Sequence, residues 1–341
     1  MKQSNRNLGT AIGLDVGTSR IVMAHRTGDD FQYDTQLNAF VSIPHSKITE
    51  SVLQKEEVPY TVRGAEIIVH GNESEKFAEL LNAETRRTMT HGVLDAKETE
   101  SLSVIRQLIA SLAGPALAGS AKDKQKLCFT VPAASLGAEE NLTYHEGTIR
   151  QLLAELGYDV KSINEGLAVV YAEMESSNYS GIGVSCGGGL CNVCLAYLSV
   201  PVLNFSIPKA GDYIDSSAAQ VTGERANRIR LAKEDSFHFN GSFPDKMHQV
   251  LSVYYDDMIQ TLVSGMTEAF AKTRSMPKLS RPIPIVLAGG TALPAGFQDR
   301  FEKILRANEF PLEVSEIRMA ASPLHTTAKG ALVAALSDMQ Q

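Results

Sequence analysis

Residues 13–20 read Gly13-Leu14-Asp15-Val16-Gly17-Thr18-Ser19-Arg20, between the apolar pair Ala11-Ile12 and the run Ile21-Val22-Met23-Ala24. This is the pattern of a strand, a glycine turn and a second strand folded back on the first. The arrangement returns at Gly187-Gly188-Gly189, between Ile182-Gly183-Val184 and Val193-Cys194-Leu195-Ala196. A third glycine turn, Gly289-Gly290-Thr291, follows the apolar run Ile285-Val286-Leu287-Ala288. One such turn is only a turn. Three in this order and spacing point to a phosphate-bearing ligand held between two similar halves, because glycine turns let backbone N–H groups converge where no side chain blocks a phosphate.

Each side chain beside the first turn suits such a ligand. Asp15 would repel phosphate, but its carboxylate fits a magnesium ion or its waters. Thr18 and Ser19 add hydroxyl donors and Arg20 adds a neutralising charge.

Working outward, residues 9–43 read as a β meander, with Asp29-Asp30 and Asn38 among its punctuation. The more polar stretch 44–93, with strand patterns at Tyr60-Thr61-Val62 and Glu66-Ile67-Ile68-Val69 and a helical pattern near Glu75–Leu81, reads as an insertion into the first half. Helical apolar spacing recurs over Asp95–Ala110, from about Ala138, over 165–175 and over Lys246–Lys272. Leu127–Val131 and Val160–Ile163 read as strands.

With 341 residues the chain suits two domains, and 43% hydrophobic with 21% charged residues is ordinary for a globular protein. A net charge of −7 and a pI near 5.7 give no basic field for nucleic acid. The polar start Met1-Lys2-Gln3-Ser4-Asn5-Arg6-Asn7 lacks the apolar core of a signal peptide, so the expected compartment is cytoplasmic. It also lacks the amphipathic pattern of a membrane-surface helix, although surface apolar residues leave a membrane contact open. The four cysteines fit that compartment. Cys186, Cys191 and Cys194 lack the paired spacing of a metal site and read as buried strand residues.

These motifs resemble the actin-like ATPase superfamily, most closely the bacterial actins of the MreB and MamK type. Asp15-Val16-Gly17-Thr18 is similar to that family's first phosphate loop and Ala288-Gly289-Gly290-Thr291 to its adenosine loop. Other stretches are also similar to the family: Arg86–Asp95, Ile163–Ala168, Lys209–Asp215 and the tail Ser322–Ala331, which extends the resemblance over nearly the whole chain. Gly17-Thr18-Ser19-Arg20 has the flavour of the cell-division relative FtsA.

The resemblance implies an α/β fold of two lobes, each a mixed β-sheet flanked by helices, with the nucleotide cleft between them. Lobe I would take residues 1–165 with a smaller subdomain at about 44–93, lobe II residues 166–322, and a C-terminal helix at 323–341 would return to lobe I. It further implies ATP or ADP with Mg2+ as ligands. Glu165 would orient the attacking water, Asp15 would serve the metal, and Glu224 would lie near the ribose and adenine. The remaining contacts would come from Gly17, Thr18, Ser19, Arg20, Gly187, Gly188, Gly189, Gly289, Gly290 and Thr291. In the second phosphate loop the family's aspartate and threonine positions hold Ser185 and Leu190. Those departures point to slow or absent hydrolysis, since one preorganised catalytic group is commonly worth about two orders of magnitude.

The expected function is therefore an ATP-binding cytoskeletal protein that self-associates into nucleotide-dependent filaments. The alternative is a non-polymerising adaptor or chaperone-like pseudo-ATPase that recruits protein partners. A small-molecule kinase would need a catalytic aspartate, for which Asp95 and Asp212 are weak candidates.

Overall fold

A computed structural model describes residues 11–83, 85–95, 97–113, 124–136, 142–239, 242–273 and 281–339. The chain begins with the expected meander of β1 (Ala11–Val16), β2 (Arg20–Thr27) and β3 (Asp30–Leu37). The next strand, β4 (Ala39–Pro44), leaves that sheet. This corrects the reading of 9–43 as one meander, and the cause is Asn38. Its backbone N–H donates to the Ser19 carbonyl at 3.0 Å and its side-chain amide to the Gly17 carbonyl at 2.9 Å. The Thr88 hydroxyl closes the buried knot by donating to Asn38 Oδ1 at 2.6 Å. Pinned there, the chain turns away to start a separate sheet.

That sheet, in the order β5-β6-β4-β7, is built from β4, β5 (Tyr60–Arg63), β6 (Glu66–His70) and β7 (Arg86–Arg87). Helices α1 (Lys47–Lys55) and α2 (Asn72–Leu80) bury Leu53 and Ala78 against its Val41, Ile43, Ile67 and Val69. Helix α1 was not legible as a helix in the sequence. A small hairpin of β8 (Met89–Thr90) and β9 (Val93–Leu94) follows, then α3 (Ser101–Ala113).

Strand β10 (Lys126–Val131) returns to lie parallel to β1. Helix α4 is described over Leu142–Glu155, and its expected start near Ala138 lies outside the described residues. Strand β11 (Asp159–Asn164) then completes the order β11-β10-β1-β2-β3. One face of this sheet packs with α3 and α4 through Ile12, Leu14, Ile105, Ile109, Phe129 and Leu153.

The second half repeats the plan. After α5 (Glu165–Glu173) come β12 (Gly181–Cys186), β13 (Cys191–Tyr197) and β14 (Val200–Ile207) as an antiparallel meander. Helices α6 (Gly211–Thr222), α7 (Ala226–Asp235) and α8 (Lys246–Lys272) follow. Then come β15 (Ile283–Ala288), α9 (Phe297–Arg306), β16 (Val314–Met319) and α10 (Thr326–Ser337). The sheet order is β14-β13-β12-β15-β16, with β12, β15 and β16 parallel. Strands β12 and β13 are buried on both faces, so their sequences run apolar instead of alternating.

Helices α5 and α10 lie between the two sheets and pack on each other, α10 covering β1 and β10 and α5 covering β12 and β13. The approach is too close for side chains. A Cβ on Gly330 would stand 1.8 Å from the Ala168 carbonyl oxygen, one on Gly13 2.1 Å from that of Ala328, and one on Gly183 2.3 Å from that of Gly166. The two strand glycines do the same job in the two halves.

Candidate functional site

The three glycine turns meet in one cleft between the sheets. Its lining includes Asp15, Gly17–Arg20, Glu165, Ser185, Gly187–Leu190, Gly211, Asp212, Asp215, three side chains of α7 and Gly289–Thr291. All the residues read from sequence as site residues except Glu224 are in that set.

The first turn is closed by the Gly17 N–H donating to the Arg20 carbonyl at 3.0 Å and is braced from outside by Asn38. Ser19 Oγ accepts from Arg87 at 2.7 Å, and the Arg20 guanidinium pairs with Glu234 of α7 at 2.7 Å. Asp15, at the end of β1, accepts hydroxyl protons from Thr130 at 2.5 Å and Thr327 at 2.7 Å. Burial raises its pKa, and those two hydroxyls pull it back.

Glu165 opens α5. Asn164 caps that helix, its Oδ1 accepting from the N–H groups of Gly166 at 3.0 Å and Leu167 at 3.4 Å, so the strand-to-helix turn presents Glu165 to the cleft. Its Oε2 accepts from Asn192 at 2.9 Å and Ser185 at 3.3 Å. Burial, then the neighbouring Asp15 charge, push its pKa up to about 8 against the pull of Ser185 and Asn192. Ser185 thus spends its hydroxyl on Glu165.

The second turn repeats the first, with the Gly187 N–H donating to the Leu190 carbonyl at 2.9 Å. The Gly187 carbonyl accepts from Gly211 N–H at 3.1 Å and Thr291 Oγ1 at 2.7 Å, and the Gly188 carbonyl accepts from Asp212 N–H at 2.8 Å. Leu190 is buried beneath Gly92 at the tip of the β8–β9 hairpin, where a Cβ would lie 2.4 Å from Leu190 Cδ1. The third turn needs glycine as well. Gly289 has φ +92° and its Cβ would lie 2.2 Å from the Cys186 carbonyl oxygen.

Helix α7 forms a charged wall that the sequence gave no reason to assign. Lys233 pairs with Asp215 at 2.7 Å, both buried, while Arg230 and Glu234 complete the face. Burial raises the Asp215 pKa to about 6 against the pull of Lys233. Glu224 lies outside the cleft lining, at the approach to α7, where it pairs with Arg228 one turn on at 3.1 Å. The acidic residue that faces the cleft from this region is Glu234, one turn beyond Arg230. Asp95 is committed to its own turn, accepting from Thr90 Oγ1 and Lys97 N–H. The four cysteines are free and packed in the apolar cores.

Other residues escaped the sequence reading because they come from distant segments. Asn38, Thr130 and Asn192 carry no local motif, and Arg87 and Thr327 lie in stretches whose resemblance to the family assigned them no role. The donor set suits magnesium: Asp15 supplies one carboxylate with Glu165 beside it, and this ion ordinarily takes one or two carboxylates, waters and substrate phosphates. If bound, the ion would supply charge neutralisation at the phosphates. Asp15 would hold it, oriented by the Thr130 and Thr327 hydroxyls.

A family model described as Volactin matches residues 10–335, which is nearly the whole chain. The chain belongs to the Volactin family. No curated protein matches this Volactin-family chain. Among solved structures it is similar to a MamK double helical filament, at TM-score 0.70 and 17% identity over 96% of this chain and 98% of that one. It is similar to a non-polymerising MamK mutant bound to AMPPNP, at 0.57 and 18% over 96% and 98%. It also resembles the ethanolamine utilization protein EutJ from Carboxydothermus hydrogenoformans, at 0.53 and 16% over 94% and 88%. At these identities the likeness shows the fold alone, an actin-like arrangement of two lobes. No helix among the described residues is long and apolar enough to cross a membrane.

Proposed function

We propose that this Volactin-family chain binds ATP or ADP with magnesium between its lobes and assembles head to tail into filaments, with slow hydrolysis. The observation that carries the reading is the convergence of three glycine turns, Asp15 and Glu165 on one cleft. In this reading Gly17–Arg20 and Gly187–Gly189 cradle the phosphates, Gly289–Thr291 take the adenosine, and Asp15 holds the metal. Glu165 orients the attacking water from its seat beside Ser185 and Asn192. The lobe boundaries are taken at 165 and 322, a division that the packing of α5 and α10 between the two sheets supports. Filaments arise when one face of a subunit meets a different face of the next and the rotation closes no ring. Nucleotide favours assembly through its higher affinity for the assembling conformation.

Negative-stain microscopy of the purified protein with Mg-ATP, beside a nucleotide-free control, tests this. Nucleotide-dependent filaments are expected. Monomers alone across concentration and salt, checked by sedimentation, would overturn it.

Ser185 and Leu190 favour a second reading, a non-polymerising adaptor that holds nucleotide without turnover and recruits a protein partner. Rapid hydrolysis by the pure protein, lost in Glu165→Ala, excludes that version.

A further inference from the structure

The side chains that α7 turns into the cleft do more than line it. Arg20, on the first hairpin, reaches across to Glu234 at 2.7 Å. The other oxygen of Glu234 takes Arg230 at 3.1 Å, and Arg230 pairs with Glu75 of α2. Four charges therefore alternate in sign, Arg20–Glu234–Arg230–Glu75, passing from β2 to α7 and over to the small sheet's helix. Arg230 is only 4% exposed, so its charge depends on these acids. Burial raises the Glu234 pKa, yet the Arg20 and Arg230 charges outweigh it and hold the carboxyl below its usual value. Two more links span the same gap: Arg225 donates to the Asn82 carbonyl at 3.1 Å, and Arg87 lies 3.5 Å from Asp212.

With these contacts made, the cleft encloses about 90 Å³, well below the roughly 300–1,000 Å³ of small-molecule sites. Arg20 and Glu234 stand in its lining, joined to each other where a ligand's phosphates would have to compete.

We propose that the Arg20–Glu234–Arg230–Glu75 ladder is a latch that draws the cleft closed and that an incoming nucleotide must displace, its phosphates drawing Arg20 away from Glu234. The displacement half rests on the nucleotide reading above; the closing half does not. A latch that stabilises the closed, empty state lowers the apparent nucleotide affinity by the fraction of molecules it holds unavailable. It also narrows the difference between empty and loaded states, which limits how strongly nucleotide can drive assembly.

Spin labels at Leu80→Cys and Leu231→Cys, both exposed sites on α2 and α7, read the gap by double electron–electron resonance, since the four native cysteines are buried. The nucleotide-free protein is expected to give one narrow, short-distance population. Glu75→Arg, which faces Arg230, should lose it, and Glu75→Asp should keep it, with circular dichroism showing both variants folded, which separates latch opening from misfolding. An unchanged population in folded Glu75→Arg overturns the latch. In a fluorescent Mg-ATP titration, Glu75→Gln, which lines no part of the cleft, should bind several-fold tighter than the parent. Equal or weaker binding overturns the displacement step. Absence of binding by both proteins overturns that step together with the proposed function, while the label distances still decide the latch.

Discussion

The two hairpins that face each other across the cleft are the same backbone carrying different chemistry. In the first, Gly13 pairs with Ala24, Asp15 with Val22 and Val16 with Ile21. In the second, Gly183 pairs with Cys194, Ser185 with Asn192 and Cys186 with Cys191. Position for position, Gly13 answers Gly183, Gly17 answers Gly187, Asp15 answers Ser185 and Arg20 answers Leu190. The glycines are matched because both halves need the same close helix approach and the same turn. The functional side chains are unmatched. The first hairpin keeps a carboxylate and a guanidinium, while the second offers backbone donors, a hydroxyl committed to Glu165 and a leucine packed under Gly92. Symmetry here belongs to packing, and the asymmetry belongs to the chemistry.

The hardest way to break the comparison is at the matched glycines. Gly13→Ala and Gly183→Ala each drive a methyl into helix backbone, and each should cost about 3 kcal/mol or more, at or beyond the usual range for overpacking. Chemical denaturation with both variants checks it. A large penalty in one half and none in the other would end the claim of equivalence.

Next in size is the buried Glu165. Its folded pKa, pushed up to about 8, lies above the ordinary value of 4.5, so the folded protein keeps a proton that the unfolded chain releases. The resulting destabilisation is absent below about pH 4.5, grows as pH rises, and levels off above about pH 8. Glu165→Gln should flatten that fall and gain up to a few kcal/mol at alkaline pH relative to the parent, read from unfolding midpoints across pH. Parallel profiles would show that Glu165 titrates normally.

Ser185→Asp sharpens the contrast by giving the second hairpin the first one's carboxylate. Beside Asp15 and Glu165 it should lower thermal stability without metal and recover it with magnesium. ATP hydrolysis should rise roughly ten- to a hundredfold. A variant insensitive to magnesium would mean that the second hairpin has no part in holding the ion. The smallest effect is expected from Glu224→Gln. Its exposed pair with Arg228 is worth less than about 0.5 kcal/mol, and nucleotide affinity should not change; a marked loss of affinity would return Glu224 to the site.

The resemblance of Arg86–Asp95 to the family found a segment without finding its use. Arg87 holds Ser19 and the Gly92 tip covers Leu190, contacts between positions far apart in the chain. Likewise the tail stretch Ser322–Ala331 was recognisable, but the Thr327 hydroxyl on Asp15 was not.

The family resemblance supplied the two-lobe α/β fold, the expected role of Glu165 and the departures at Ser185 and Leu190, and by itself the sequence determined the three glycine turns and the strand-end carboxylate Asp15. These are legible because strand periodicity, glycine turns and carboxylates at strand ends are local, and each leaves its mark within a few residues. Only the tertiary structure decided the departure of β4 at Asn38, the clamps on Asp15, the position of Glu224 outside the cleft lining and the charged ladder along α7. Those depend on which distant side chains meet at the cleft. Opposite charges such as Arg20 and Glu234 give no sign in the chain that folding will bring them together.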